Sequence, residues 1–369
     1  MKKNLRRALA VCLCAVFFAA CSSPMPLSFY APWTESDSHP ANFSETAVYS
    51  VKKVTDYRAA TSENVNDDYT AQENDYFSAD YNGTYTVTVT SANASQLESE
   101  FGIVDSSNEL YRIETDLSMR VTYTVKATEK EYVSEEGVHS VAYFRSNNQS
   151  LAPIYSVKTY DSTSVSVDND GAVHIVGYDY STRLNWLFGN GRAQLVIADA
   201  EDEGIPEGMD EAVYERRYVG DSTTEIGYDD RATLDNETLY FAIRGIPPTQ
   251  EFSSTYKIID TAYQSVQSVS VASSNVARYS QTWTLTQGSG ETQTVDSGTP
   301  ACLVTVRRGD STYSGSSHHC YYQLNSTGST DDSGTVSAPY RAFLLRIVTK
   351  LPYNLGALDY SLQSVTVSE

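Results

Sequence analysis

The chain has 369 residues, and 47 acidic residues against 26 basic ones give it a net charge of −21. That balance argues against a nucleic-acid binder, which needs clustered bases to neutralise phosphate, and against binding to an anionic membrane through a basic patch. Hydrophobic residues make up 40% of the chain, which argues against a wholly disordered protein.

The first segment reads as a bacterial export signal. Lys2, Lys3, Arg6 and Arg7 precede an apolar run over residues 9–20. At about twelve residues the run is too short for a membrane-spanning helix, which needs about 20. It ends in Ala19-Ala20-Cys21, and small residues before a cysteine resemble a lipoprotein signal. Phe18 stands where an aliphatic residue is usual. The resemblance implies cleavage after residue 20, lipid on Cys21, and an extracytoplasmic protein anchored to a bacterial membrane. Cleavage would leave 22 bases against 47 acids, a net charge of −25. Residues 21–45 hold four prolines and several serines without β-alternation, which fits a lipidated N-terminus followed by a flexible tether.

Beyond the tether, period-two alternation dominates. Tyr85, Val87 and Val89 alternate with threonines, and Met119, Val121, Tyr123 and Val125 alternate with polar residues. Such segments are half-buried antiparallel strands, and their β-branched and aromatic content supports them. Segments 162–167 and 172–178 flank Asp168-Asn169-Asp170-Gly171 and predict a hairpin. Further strands are expected over 137–145, 152–160, 193–198, 213–219, 253–259, 266–272, 276–287, 301–308, 320–324, 341–350 and 358–367. Two short helices are expected. One spans 235–244, with Asp235 as its cap and Gly245 as its stop. The other spans 95–101, with Ser95 and Glu98 at capping-box spacing. The predicted class is mainly β, built from antiparallel strands with one or two short helices. The acidic, Gly- and Pro-containing stretch 201–211 divides a β-rich half, 46–200, from another, 212–369. It is either a linker between two domains or a long loop in one sheet.

No catalytic motif is present. There is no nucleophile elbow, phosphate-cradling loop or dinucleotide fingerprint, and no zinc-protease helix motif. None of the five histidines has a motif partner. Asp168 to Gly171 resembles the opening of a calcium loop, but its glycine comes early and Gly177 stands where the closing glutamate belongs. A turn explains it better. No cofactor or metal is expected. With Cys12 and Cys14 in the signal and Cys21 lipidated, Cys302 and Cys320 remain, and an even remainder in an exported protein reads as one disulfide. Such a closure would contribute about 3 kcal/mol in the chain-entropy model. A metal site at His318-His319-Cys320 is disfavoured, because adjacent strand residues face opposite ways. The tyrosines, with Trp186, could line a ligand surface, but they also suit half-exposed sheet faces, ring buried and hydroxyl wet.

The order of the second half carries a family resemblance. Leu239-Tyr240-Phe241-Ala242-Ile243-Arg244-Gly245 comes first, then Ser297-Gly298-Thr299-Pro300-Ala301-Cys302, and finally Gly356-Ala357-Leu358-Asp359-Tyr360-Ser361-Leu362. These segments resemble uncharacterised exported β-proteins of the periplasmic lipoprotein-carrier half-barrel type. The resemblance implies a curved sheet whose concave face can hold an acyl chain, and it brings no catalytic residue. The expected function is a non-enzymatic, membrane-anchored lipoprotein binding an apolar or envelope-derived ligand. The alternatives are a surface interaction, adhesion or envelope-assembly module, and an envelope hydrolase using paired carboxylates.

Overall fold

The computed structural model describes residues 42–59, 68–106, 109–147, 150–201, 204–229, 233–244, 252–288, 290–309, 317–324 and 343–368. The signal, Cys21, most of the tether and the expected loop at 326–337 lie outside the described residues.

In chain order the first half holds β1 (Ser44–Val54), β2 (Asp56–Tyr57), β3 (Tyr69–Thr70), β4 (Phe77–Ala92), α1 (Ala94–Phe101), β5 (Leu110–Val125), β6 (Lys130–Asn147), β7 (Ser150–Val167), β8 (Val173–Gly189) and β9 (Arg192–Asp199). After the acidic stretch come β10 (Tyr214–Arg216), β11 (Ser222–Gly227), β12 (Thr233–Asp235), a 3-10 turn (Asn236–Thr238) and α2 (Leu239–Ile243). The remaining strands are β13 (Phe252–Asp260), β14 (Ser265–Tyr279), β15 (Trp283–Thr286), β16 (Thr292–Val295), β17 (Thr299–Arg308), β18 (Ser317–Gln323), β19 (Leu344–Lys350) and β20 (Ala357–Ser368).

One large, mostly antiparallel open sheet takes in nearly all of them. Its path runs β13-β14-β17-β18-β19-β20-β1-β4-β5-β6-β7-β8-β9-β11. Parallel contacts join β8 to β10, β12 to β13, and β15 to β20. The two sequence halves are therefore sewn into one sheet at the β1–β20 seam, where the first strand meets the last. On either side of the acidic stretch, β9 and β10 both pair with β8.

Strong curvature follows from what α2 touches. Phe241 packs against Phe144 of β6, with ring centroids 6.2 Å apart. The Tyr322 hydroxyl of β18 donates to the Tyr240 carbonyl at 2.8 Å. Arg244 reaches Glu45 of β1 at 2.6 Å. Strands from three separate parts of the sheet thus meet one short helix, so the sheet wraps around it. The free ends of the path approach each other through side chains. Ile226 of β11 packs with Ile259 of β13, and Thr224 Oγ1 donates to Gln264 Oε1 at 2.9 Å. The concave face carries most of the apolar core around α2, while α1 covers the convex face of β5–β7 through buried Leu97, Leu110, Tyr143 and Ile154.

Several local expectations need correction. The bounds expected for the tether overlap β1, which begins at Ser44 with Glu45 facing inward, and Phe43 before it is buried. The cap of α1 is Asn93 rather than Ser95. The Asn93 side chain accepts from the Gln96 amide at 3.0 Å, and Gln96 Oε1 accepts from the Asn93 amide at 2.9 Å. The second helix splits into a 3-10 turn and five α residues, with Asp235 as the expected cap. The hairpin turn is confirmed: Gly171 takes φ +88°, and its amide donates to the Asp168 carbonyl at 3.0 Å.

The Cys302–Cys320 disulfide does not form, since both residues stand as buried thiols. In the β17–β18 ladder Cys302 lies opposite Tyr322, and Cys320 lies opposite Val304. The two cysteines share a face but are diagonal neighbours, about 7–8 Å apart. A disulfide needs Cβ atoms within about 4.5 Å.

Candidate functional site

The site is built where the turn before α2 meets the concave sheet face. Asp235 ends β12 and caps the turn, accepting the Glu237 amide at 2.9 Å. Its other oxygen accepts from Ser156 Oγ at 2.7 Å and from Trp186 Nε1 at 2.8 Å. Burial, and next the charge of Glu237, raise its pKa above the usual carboxylate value. These bonds pin the plug formed by the turn and α2 to β7 and β8. Trp186, 2% exposed, is a buried clamp and not a surface platform.

Glu237, two residues on, faces the other way. Its Oε1 lies 3.2 Å from Lys158 Nζ and 3.0 Å from Asn236 Nδ2. Burial alone would raise its pKa, but the Lys158 charge and hydrogen bonds from Ser140, Asn236 and Lys158 outweigh burial and hold it low. Burial acts on Lys158 in the opposite sense, and Glu237 again outweighs it, keeping the ammonium charged.

Beyond this pair lies a cavity of about 210 Å³. Ladder register sets Tyr85, Leu117 and Val138 in one row across β4, β5 and β6 along its wall. Facing them are Tyr240 from α2 and Arg308, His318, Ile347, Thr349 and Tyr360 from β17–β20. The Tyr240 hydroxyl lies 2.7 Å from His318 Nδ1. Burial, then the charges of Arg308 and His319, push the His318 pKa down to about 3, so it is neutral at physiological pH. Burial drives Tyr240 and Tyr360 up to about 12, leaving both as neutral hydroxyls. The cavity therefore offers hydroxyl donors, a neutral imidazole, a compensated Lys158–Glu237 pair and the Arg308 guanidinium. Past α2 it adjoins a smaller apolar space lined by Ala47, Val87, Ile113 and Phe343, closed by Arg244 and Glu45.

The other predicted residues fall elsewhere. His318 and His319 point to opposite sheet faces, as strand geometry requires. His319 is buried beneath the β2–β3 ribbon, against the edges of Tyr57 and Tyr69 with ring centroids 5.4 and 5.7 Å away. No group of three metal-ligating side chains occurs among the described residues. His139 sits between Glu114 and Asp116, 3.5 Å from each, on the exposed face. His174 lies 3.1 Å from Asp168 beside the hairpin turn. Of the tyrosines that could line a surface, Tyr132, Tyr143, Tyr155, Tyr321 and Tyr322 are buried, while Tyr160, Tyr178 and Tyr180 are half-buried. Tyr340 lies outside the described residues.

Paired carboxylates do not converge on the cavity. Glu237 alone faces it, and Asp235 is turned toward Ser156 and Trp186. An open cleft of about 770 Å³ on another face collects Glu135, Asp161, Asp179 and Glu207. Arg120 pairs with Glu135 at 2.7 Å, and Arg216 approaches Asp179 at 4.0 Å. Nearby, Glu136 is buried and accepts hydrogen bonds from the Thr163 amide, at 3.1 Å, and from its hydroxyl. Burial pushes its pKa up to about 7, against the hydrogen bonds from Thr163. Sequence reasoning missed Lys158, Glu237, Arg308 and Glu136. Each reads as an ordinary polar position until the sheet's curvature brings distant strands together.

No protein-family model matches the chain, and no curated protein matches it in sequence. Among solved structures it is similar to a β-barrel-like protein of a domain of unknown function, DUF1849, from Brucella abortus. The two are 8% identical, the match covers 88% of this chain and 98% of that one, and the TM-score is 0.44.

Proposed function

We propose that this chain is an exported bacterial lipoprotein, anchored by lipid on Cys21, that acts without catalysis by holding a small, partly apolar ligand inside its curved sheet. The observation that carries the reading is the cavity between sheet and plug, with an apolar wall and a few convergent polar groups. That combination marks ligand sites in general. The plug is fixed at both ends, which pre-organises the space and lowers the cost of binding. Support for the anchor is the basic start, the short apolar run and Ala19-Ala20-Cys21. The half-barrel carrier resemblance favours a ligand drawn from the envelope. A surface interaction module is less well supported, because Tyr132, Tyr143, Tyr155, Tyr321 and Tyr322 are buried.

The test is native mass spectrometry of the lipidated protein extracted from its host membrane. The reading predicts a mass increment for diacylglyceryl-modified Cys21, absent in Cys21→Ser, plus a dissociable small molecule. A chain that carries no lipid, or whose bound species dissociates no more slowly than solvent, overturns it.

A further inference from the structure

We infer that the cavity takes a small organic monoanion, a carboxylate held by Arg308 with its carbon skeleton against Leu117, Val138 and Ile347. This rests on the cavity reading above and adds the charge and class of the ligand.

Arg244 pairs with Glu45, Arg346 with Asp359, and Arg145 with Asp105. Arg308 departs from that pattern. Its Nε is buried without a hydrogen-bond partner, and among the described residues it forms no ion pair. The guanidinium cannot shed its charge, and Tyr240, with Glu237 and Asp260 acting through space, outweighs its burial and favours the cation. No carboxylate meets its Nε in hydrogen-bond contact, which leaves the fork open to a ligand. A chain of net charge −21 that leaves its cavity cation unpaired leaves a place for an anion.

Charge counting selects the class. Lys158 and Glu237 cancel, and His318 and the tyrosines are neutral, so the cavity carries one net positive charge. That complements a monoanion and not a phosphate dianion. The guanidinium fork matches a carboxylate in two parallel hydrogen bonds. The Thr349 and Tyr360 hydroxyls line the same space. A volume of about 210 Å³ holds about seven water-sized groups at ~30 Å³ each, which matches a short-chain or single-ring acid.

The test is calorimetric titration and thermal unfolding of the mature full-length chain with three probes: hexanoate, 1-hexanol and inorganic phosphate. Hexanoate should bind saturably, at least 10-fold more tightly than hexanol, and phosphate should not bind. Arg308→Met should weaken hexanoate binding at least 10-fold while leaving hexanol binding within 2-fold. Phosphate binding in place of hexanoate, or unchanged hexanoate affinity in Arg308→Met, overturns the inference. Hexanol binding without hexanoate binding also overturns it but leaves the cavity reading standing. If neither enters, both fail.

Discussion

The two ends of the plug are built from the same residue types and do opposite things. At the C-terminal end Arg244 grips Glu45 at 2.6 and 3.2 Å, and the two side chains are 12% and 4% exposed. At the N-terminal end Lys158 is matched by Glu237, but Arg308 has no carboxylate of its own. The first end is a closed electrostatic joint that locks the plug to the β1–β20 seam. The second retains a cation with no carboxylate in contact beside open volume. Buried charge is conventionally paired or removed, so the difference separates an arginine that joins two elements from the one we propose to bind an anion.

The sharpest way to break this comparison is to unpair the closed end. Glu45→Ala removes the buried carboxylate that Arg244 grips at 2.6 Å and should cost about 3–5 kcal/mol, measured by denaturant unfolding. A loss under about 1 kcal/mol would put Arg244 in the same class as Arg308 and erase the distinction.

Glu136 extends the contrast to an acid that has hydroxyl and amide partners only. Its folded pKa of about 7 stands above the ordinary 4.5, so the native state binds the proton more tightly than the unfolded chain. Its favourable contribution is complete below pH 4.5 and is lost as pH rises through 7. Glu136→Gln should therefore stabilise the protein by about 3 kcal/mol at pH 8 and leave it nearly unchanged at pH 4. Unfolding curves at the two pH values check this, and a difference of the opposite sign would mean that a cation reaches Glu136.

The smallest effect concerns chemistry and not stability. Alkylation of the denatured, unreduced protein should label both Cys302 and Cys320, because their register keeps them two residues out of step. Finding neither labelled would require the β17–β18 ladder to shift by two residues. That shift would carry His318 away from Tyr240 and dismantle the open end.

Much of the sheet was legible because period-two alternation reports directly which face of a strand is wet. Thr84 to Thr90 and Ser118 to Lys126 announced β4 and β5, though each runs several residues further. Asp235 announced the plug, because a capping carboxylate before an apolar turn is a local signal. Three things were hidden for identifiable reasons. β1 starts within the expected tether, since Glu45 reads as a solvated acid until Arg244, 199 residues away, supplies its partner. The disulfide expectation counted cysteines, but bridging depends on register, which sequence does not display. The cavity draws its walls from strands at both ends of the chain, and no local pattern marks Lys158 or Arg308 as facing inward.

The most direct measurement is a crystal structure of the mature protein purified from its host membrane with its bound small molecule retained. The account predicts ligand density between Arg308 and the Leu117–Val138 wall, with the plug still joined to Glu45. Density in the open cleft beside Asp161 and Asp179, with the Arg308 cavity empty or filled only by solvent, would contradict it.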